Sequence, residues 1–145
     1  MLKPTNTNYL FKFSIVTAVY NVAPYLSEAI DSILSQDIGF IESIELILVD
    51  DGSTDASGAI CDEYQHKYPE NIVVIHKPNG GVASARNAGI AVARGRYVNF
   101  MDSDDKLTPD TLSSVYDFFI EHDKEVDLVS VPIFYFEQKN EPHRL

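Results

Sequence analysis

The chain has 145 residues, 45% of them hydrophobic, with eight Phe and eight Tyr. That is enough apolar material for one core and a single domain, 1–145, and it excludes a disordered chain. A formal net charge of −11 argues against nucleic acid as a partner, because that binding rests on Lys and Arg displacing counterions. The single cysteine, Cys61, excludes a disulfide framework and zinc spacing, and no apolar run approaches the roughly eighteen residues that span a bilayer. A soluble stretch in a reducing compartment is the expectation.

In chain order, Phe13 to Tyr20 reads as a buried strand, and Pro24 opens a helix whose apolar positions Tyr25, Leu26, Ala29, Ile30, Ile33 and Leu34 recur at helical spacing. Ile44 to Val49 is a second strand, ended by Asp50-Asp51-Gly52-Ser53-Thr54-Asp55, where turn formers run into helix caps. A second helix covers Asp55 to Tyr68 with Ala59, Ile60 and Tyr64 on one face. Ile72 to Ile75 is a short third strand, Asn79-Gly80-Gly81 a loop, and Val82 to Arg94 a helix stopped by Gly95. Arg96 to Met101 forms the fourth strand. Thr108-Pro109-Asp110 starts a helix with the stripe Leu112, Val115, Tyr116 and Phe119, a fifth strand runs from Asp127 to Tyr135, and 137–145 is a polar tail. Strands alternating with helices predict an α/β fold: a Rossmann-like, mostly parallel sheet covered by helices on both faces, with ligands bound at the carboxyl ends of its strands.

Polar clusters fall at those ends. Asp102-Ser103-Asp104-Asp105 directly follows the fourth strand; hard cations such as Mg²⁺ and Mn²⁺ favour such oxygen ligands and complete their shells with water and phosphate. A solvated turn is the plain alternative. Asp50-Asp51 fits either a helix-capping turn or a hydrogen bond to a nucleobase or ribose. The paired glycines of Asn79-Gly80-Gly81 form an ordinary loop or let backbone N–H groups approach phosphate. Arg86, one turn into the helix that follows, is either a solvated surface residue or a diphosphate ligand. Tyr20 combines a core role with a ring free to stack on a base. The four histidines, His66, His76, His122 and His143, have no metal spacing and read as surface or strand-end residues, and Cys61 as a small buried apolar residue. Hydrolase elbows, Walker loops and the dinucleotide fingerprint are absent.

Together, Val16-Thr17-Ala18-Val19-Tyr20-Asn21, Leu48-Val49-Asp50-Asp51-Gly52-Ser53-Thr54-Asp55, Asn79-Gly80-Gly81-Val82-Ala83-Ser84-Ala85-Arg86-Asn87-Ala88-Gly89 and Asp102-Ser103-Asp104-Asp105 resemble the family 2 glycosyltransferases over residues 12 to 135. The resemblance implies the A-type glycosyltransferase fold and inverting transfer from a nucleotide-diphosphate sugar, with a UDP-sugar favoured, to a glycan or lipid-linked acceptor in bacterial surface polysaccharide synthesis. It places Ala18 and Tyr20 beside the base, although the family usually has proline where Ala18 stands. Asp51 would bond the base or ribose, Asn79 and Gly80 would shape that wall, and Arg86 would lie near base or diphosphate. Asp102 and Asp104 match the Asp-x-Asp pair, with Asp102 near ribose or metal, Ser103 on the nucleotide side and Asp104 the direct ligand of Mn²⁺ or Mg²⁺. Asp105 would support or cap. The family's general base lies well downstream of the Asp-x-Asp pair, so it is expected beyond Leu145 and the chain is expected to be a donor-binding part. Cytoplasmic placement, peripheral at the inner membrane face, follows by the same resemblance. Alternatives are a non-catalytic nucleotide-sugar or metal-binding module and a sugar nucleotidyltransferase; the latter usually has a glycine-rich basic loop where this chain has Asn21-Val22-Ala23-Pro24. A phosphoacceptor receiver domain would need its acidic pair after the first strand.

Overall fold

The computed structural model describes residues 8–131, 134–136 and 142–144. In order these form β1 (Phe11–Val19), α1 (Ala23–Leu34), the short α2 (Phe40–Ser43), β2 (Ile44–Asp50), α3 (Ser57–Lys67), β3 (Ile72–His76), α4 (Val82–Val92), β4 (Gly95–Phe100), α5 (Thr111–Glu121), β5 (Phe134–Phe136) and β6 (Pro142–Arg144). Two compact units divide the chain, Met1–Ser113 and Ser114–Leu145.

The first unit is built on a parallel sheet of order β3-β2-β1-β4. All of β2 is buried, as expected for a central strand covered on both faces. On one face Val16, Ile47, Val49 and Ala85 form a cluster, which seats α4. On the other, α3 is joined to the sheet where Asp62 meets His76, and α1 is joined to α3 where the Tyr64 hydroxyl donates to Asp31 at 2.7 Å. The apolar stripe of α1 is Leu26, Ala29, Ile30 and Ile33, each at most 2% exposed. Burying each large member of that stripe contributes about 1.5–3 kcal/mol. Tyr25, read from sequence as part of the stripe, points into solvent.

Several local expectations are corrected. The buried face of α3 is Ser57, Cys61 and Tyr64, while Ala59 is exposed: the spacing from Ser57 to Cys61 to Tyr64 follows the helical period, which a polar Ser57 concealed. Gly95 is not the residue that stops α4. The helix ends at Val92 with Ala93 already extended, and Gly95 opens β4 against β1, where an added Cβ would collide with the Ser14 backbone nitrogen. The fifth helix starts at Thr111, three residues after Thr108, because Gln36 fixes the preceding segment: its Nε2 donates to the Thr108 carbonyl at 2.7 Å and its Oε1 accepts the Leu112 N–H at 3.0 Å.

In the second unit, the strand expected over Asp127 to Tyr135 is not continuous. Residues 127–131 are irregular and Leu128 is 85% exposed. β5 pairs antiparallel with β6, Phe134 opposite Arg144. A strand needs a ladder partner as well as an apolar run. Of the polar tail read over 137–145, residues 142–144 are β6 and the rest lies outside the described residues. Among the described residues no helix is long and apolar enough to cross a membrane.

At the amino end of the sheet a buried charge locks three strands. Glu45, fully buried on β2, accepts the Ser14 hydroxyl at 2.7 Å, the Arg94 N–H at 2.8 Å and the Arg94 Nε–H at 2.7 Å. Ser14 Oγ in turn accepts the Gly95 N–H at 2.8 Å. Such a buried carboxylate is tolerable because three hydrogen bonds, one of them from the Arg94 guanidinium, offset the loss of water.

Candidate functional site

The strand order places β1 between β2 and β4, so the chain leaves in opposite directions on either side of β1 and a crevice opens at the carboxyl ends. The loop after β1 turns at Asn21, whose φ of 51° is one that asparagine tolerates better than most residues. Its Oδ1 accepts the N–H groups of Thr54 at 2.8 Å and Asp55 at 3.3 Å. In return, Ser53 Oγ accepts the Asn21 N–H, Ser57 Oγ the Val22 N–H and Asp55 Oδ2 the Ala23 N–H. Hydrogen bonds from Ser57, then from Ala23, hold the Asp55 carboxyl below its usual range. Much of the Gly52-Ser53-Thr54-Asp55 run is therefore scaffold: it caps the start of α1 and fixes the position of Tyr20, which is half-exposed at the lip.

Neighbouring Asp50 and Asp51 do different work. Asp50 accepts the Ser53 N–H at 3.0 Å and meets His76 Nδ1 at 2.8 Å, and His76 Nε2 meets Asp62 at 2.8 Å. Burial pushes the Asp50 carboxyl up, but the bonds from Ser53 and His76 outweigh it and leave it below its usual range. His76 is raised, first by Asp50 and then by Asp62. Read from sequence as a surface or strand-end residue, it does end β3 but joins two carboxylates there.

Asp51 is only 3% exposed. Its Oδ1 accepts Lys77 Nζ and the Gly80 N–H, both at 2.9 Å, and its Oδ2 accepts the Gly81 N–H at 2.9 Å. Asn79 Nδ2 donates to the Asp51 carbonyl at 3.0 Å. Lys77, then the two glycine amides, hold this carboxyl below its usual range against the opposing effect of burial. The sequence leaves these glycines two readings, an ordinary loop or amides free to approach phosphate; in the structure the amides of Gly80 and Gly81 are given to the chain's own carboxylate. Gly81, at φ 93°, makes the turn into α4 that brings them there. Lys77 was missed in the sequence; the available signal was a buried acid needing a counter-charge and one lysine directly after the third strand.

The third group lies at the end of β4. Arg86, on α4, donates from Nη2 to Asp102 Oδ1 at 3.1 Å, and its guanidinium carbon lies 5.4 Å from the Phe100 ring centre. Asp102, Asp104 and Asp105 are exposed, and one oxygen from each can be chosen so that all lie within 4.8 Å of one another. Partial loss of hydration to neighbouring groups, then the charges of Asp102 and Asp104, raise the Asp105 carboxyl. Ser103 is buried within this turn. An all-oxygen, all-anionic donor set fits a hard divalent cation such as Mg²⁺ or Mn²⁺.

The structure therefore brings Arg86 to Asp102, and Asn79 and Gly80 to Asp51, in direct contact. Ala18 instead packs, partly buried, against the Val16, Ile47, Val49 and Ala85 cluster, with its strand position opposite Val49. Cys61 is buried, and burial pushes its thiol up to about 12, in keeping with an inert packing residue.

Comparison with known proteins bears on the family and the fold. Over 138 residues, 95% of this chain but 15% of the relative, the chain is 50% identical to the minor teichoic acid biosynthesis protein GgaB of Bacillus subtilis (strain 168). The crystal structure of S. aureus TarS 1-349 in complex with UDP-GlcNAc superposes with a TM-score of 0.71 at 36% identity, covering 78% of this chain and 32% of that one. The mannosyltransferase PcManGT from Pyrobaculum calidifontis, in complex with GDP-Man and Mn²⁺, gives a TM-score of 0.68 at 25% identity over 77% of this chain and 33% of that one. The chain thus spans less than a third of the length of GgaB and about a third of each solved chain. The model of Glycosyl transferase family 2 matches residues 14–145, and the chain, with its parallel sheet of the A-type glycosyltransferase fold, belongs to that family.

Proposed function

We propose that this chain is the donor-binding part of an inverting glycosyltransferase that takes a sugar from a nucleotide-diphosphate sugar, with uridine as the favoured base, to an acceptor hydroxyl in bacterial surface-polymer synthesis. The observation that carries the reading is the convergence of Arg86 with Asp102, Asp104 and Asp105 at the carboxyl edge, beside the loop that Asp51 closes. The UDP-GlcNAc complex of TarS and the GDP-Man and Mn²⁺ complex of PcManGT support it.

In this reading Tyr20 stacks on the base, and the Ala18 backbone borders it. Asn79 and Gly80 form the wall that Asp51 holds. An ionised carboxylate has roughly four acceptor positions, and Asp51 uses three internally, leaving one for the base or ribose. Ser103 lies on the nucleotide side. Asp104, with Asp102, holds Mn²⁺ or Mg²⁺, which when bound supplies Lewis-acid stabilisation of charge on the departing diphosphate. Arg86 offers a planar fork to the same diphosphate. The general base that takes the acceptor proton is assigned to sequence downstream of Asp105.

Calorimetric titration with UDP, GDP, CDP and dTDP, each with Mn²⁺ and with chelator, tests the donor assignment. Metal-dependent binding with UDP preferred is the expected result; equal, metal-independent binding of all four contradicts it.

A further inference from the structure

The Arg86–Asp102 pair bears on how metal and nucleotide bind together. Arg86 is held by two partners, the Asp102 carboxylate at 3.1 Å and the face of Phe100 at 5.4 Å. Asp102 also belongs to the carboxylate group whose oxygens lie within 4.8 Å of one another. A divalent cation drawn to that group and the guanidinium of Arg86 are therefore rivals for one carboxylate, since two cations at a single exposed acid repel each other. A diphosphate offers the planar guanidinium a better, doubly charged acceptor that can be bonded bidentately within the same crevice.

We propose that Arg86 couples nucleotide binding to metal binding. Without nucleotide it neutralises Asp102 and weakens the hold on a divalent cation. A nucleoside diphosphate draws the guanidinium away and frees Asp102 for the cation. Each ligand then tightens the other by the same factor, as linkage requires. This inference rests on reading the carboxyl edge as a metal-dependent nucleotide site.

The test is a Mn²⁺ titration, followed by the magnetic resonance signal of free Mn²⁺, on the chain alone and with saturating UDP. It is run on the native chain, Arg86→Gln and Arg86→Lys, with circular dichroism to verify folding. Arg86 is 40% exposed, so its replacement leaves the core intact. Exposed ion pairs of this kind are worth up to about fivefold. Arg86→Gln is expected to bind Mn²⁺ alone about two- to fivefold more tightly than the native chain. Its UDP-induced gain in Mn²⁺ affinity shrinks by at least that factor, as does its Mn²⁺-induced gain in UDP affinity. Arg86→Lys, which keeps the charge, retains most of the coupling. If Arg86→Gln binds Mn²⁺ alone no more tightly, or loses UDP affinity with the coupling factor intact, Arg86 is a plain nucleotide contact and the inference fails while the site reading stands. If UDP and Mn²⁺ show no mutual effect in the native chain, the site reading itself fails and takes the inference with it.

Discussion

At the amino end of the sheet Arg94 meets Glu45 at 2.7 Å, with Glu45 wholly buried; at the carboxyl end Arg86 meets Asp102 at 3.1 Å, with Asp102 62% exposed. Glu45 also takes hydrogen bonds from Ser14 and from the Arg94 N–H, and through Ser14 it reaches the start of β4. Asp102 instead lies beside two further carboxylates. One pair is a closed network in which the charges are satisfied by their neighbours. The other leaves negative charge facing water, which contributes little to folding and stays available to a ligand. At the amino end of the sheet the Glu45 network is thus closed, while the carboxyl end, where the parallel topology collects loops, holds both closed networks, at Asp50 and Asp51, and the open group of Asp102, Asp104 and Asp105.

Removing partners one at a time sharpens the contrast. Glu45→Ala should be the most damaging change, about 3 kcal/mol in urea denaturation, because it strands the Ser14 hydroxyl and the Arg94 amide inside the fold. A loss below about 0.5 kcal/mol, the range of surface substitutions, contradicts a structural role. Lys77→Met should cost about 2 kcal/mol and weaken nucleotide binding, since it leaves the buried Asp51 with only its two glycine amides. Unaltered stability in the same denaturation series would mean that the amides alone hold the loop. Asp104→Ala should change stability by no more than about 0.5 kcal/mol, as for an exposed residue outside the core.

The smallest effect is that of pH. His76 is raised above its usual value of 6.5 by Asp50 and Asp62, so its contribution to stability is complete below about 6.5 and fades as pH rises through its folded value. Asp50 and Asp51 are lowered from 3.8, so theirs is complete above that value and fades as pH falls through their folded values. Stability of the native chain relative to His76→Gln should therefore decline from pH 6 to pH 9; a difference that is flat across that range removes His76 from the account.

How far the fold was legible follows from which signals are local. The first four strands and the long helices α1, α3 and α4 between them were readable because apolar runs, Pro24 and the turn residues all act within a few positions; the single turn of α2, which carries no such signal, was not. The strand read over Asp127 to Tyr135 holds at Phe134 and Tyr135, in β5, but not over 127–131, because pairing is non-local: an apolar run does not say which neighbour it joins. The placement of Gly95 failed for the same reason, as its nearest obstacle is the backbone of Ser14, 81 residues away in sequence. At the site, the residue types of the acidic turn and Arg86 were readable as chemistry, and their contact is now visible. What sequence concealed was the inward use of Asp51, the counter-charge from Lys77 and the scaffold role of Ser53 to Ser57, all of which depend on loops meeting across the sheet edge.

The most direct measurement is a calorimetric titration of UDP into the native chain and into Asp104→Ala, with Mn²⁺ and with chelator. The account predicts binding to the native chain that chelator abolishes, and no Mn²⁺-dependent binding to the folded variant. Native-like, metal-dependent binding by Asp104→Ala, or none by the native chain, contradicts the claim that the carboxyl edge of this sheet is a metal-assisted nucleotide site.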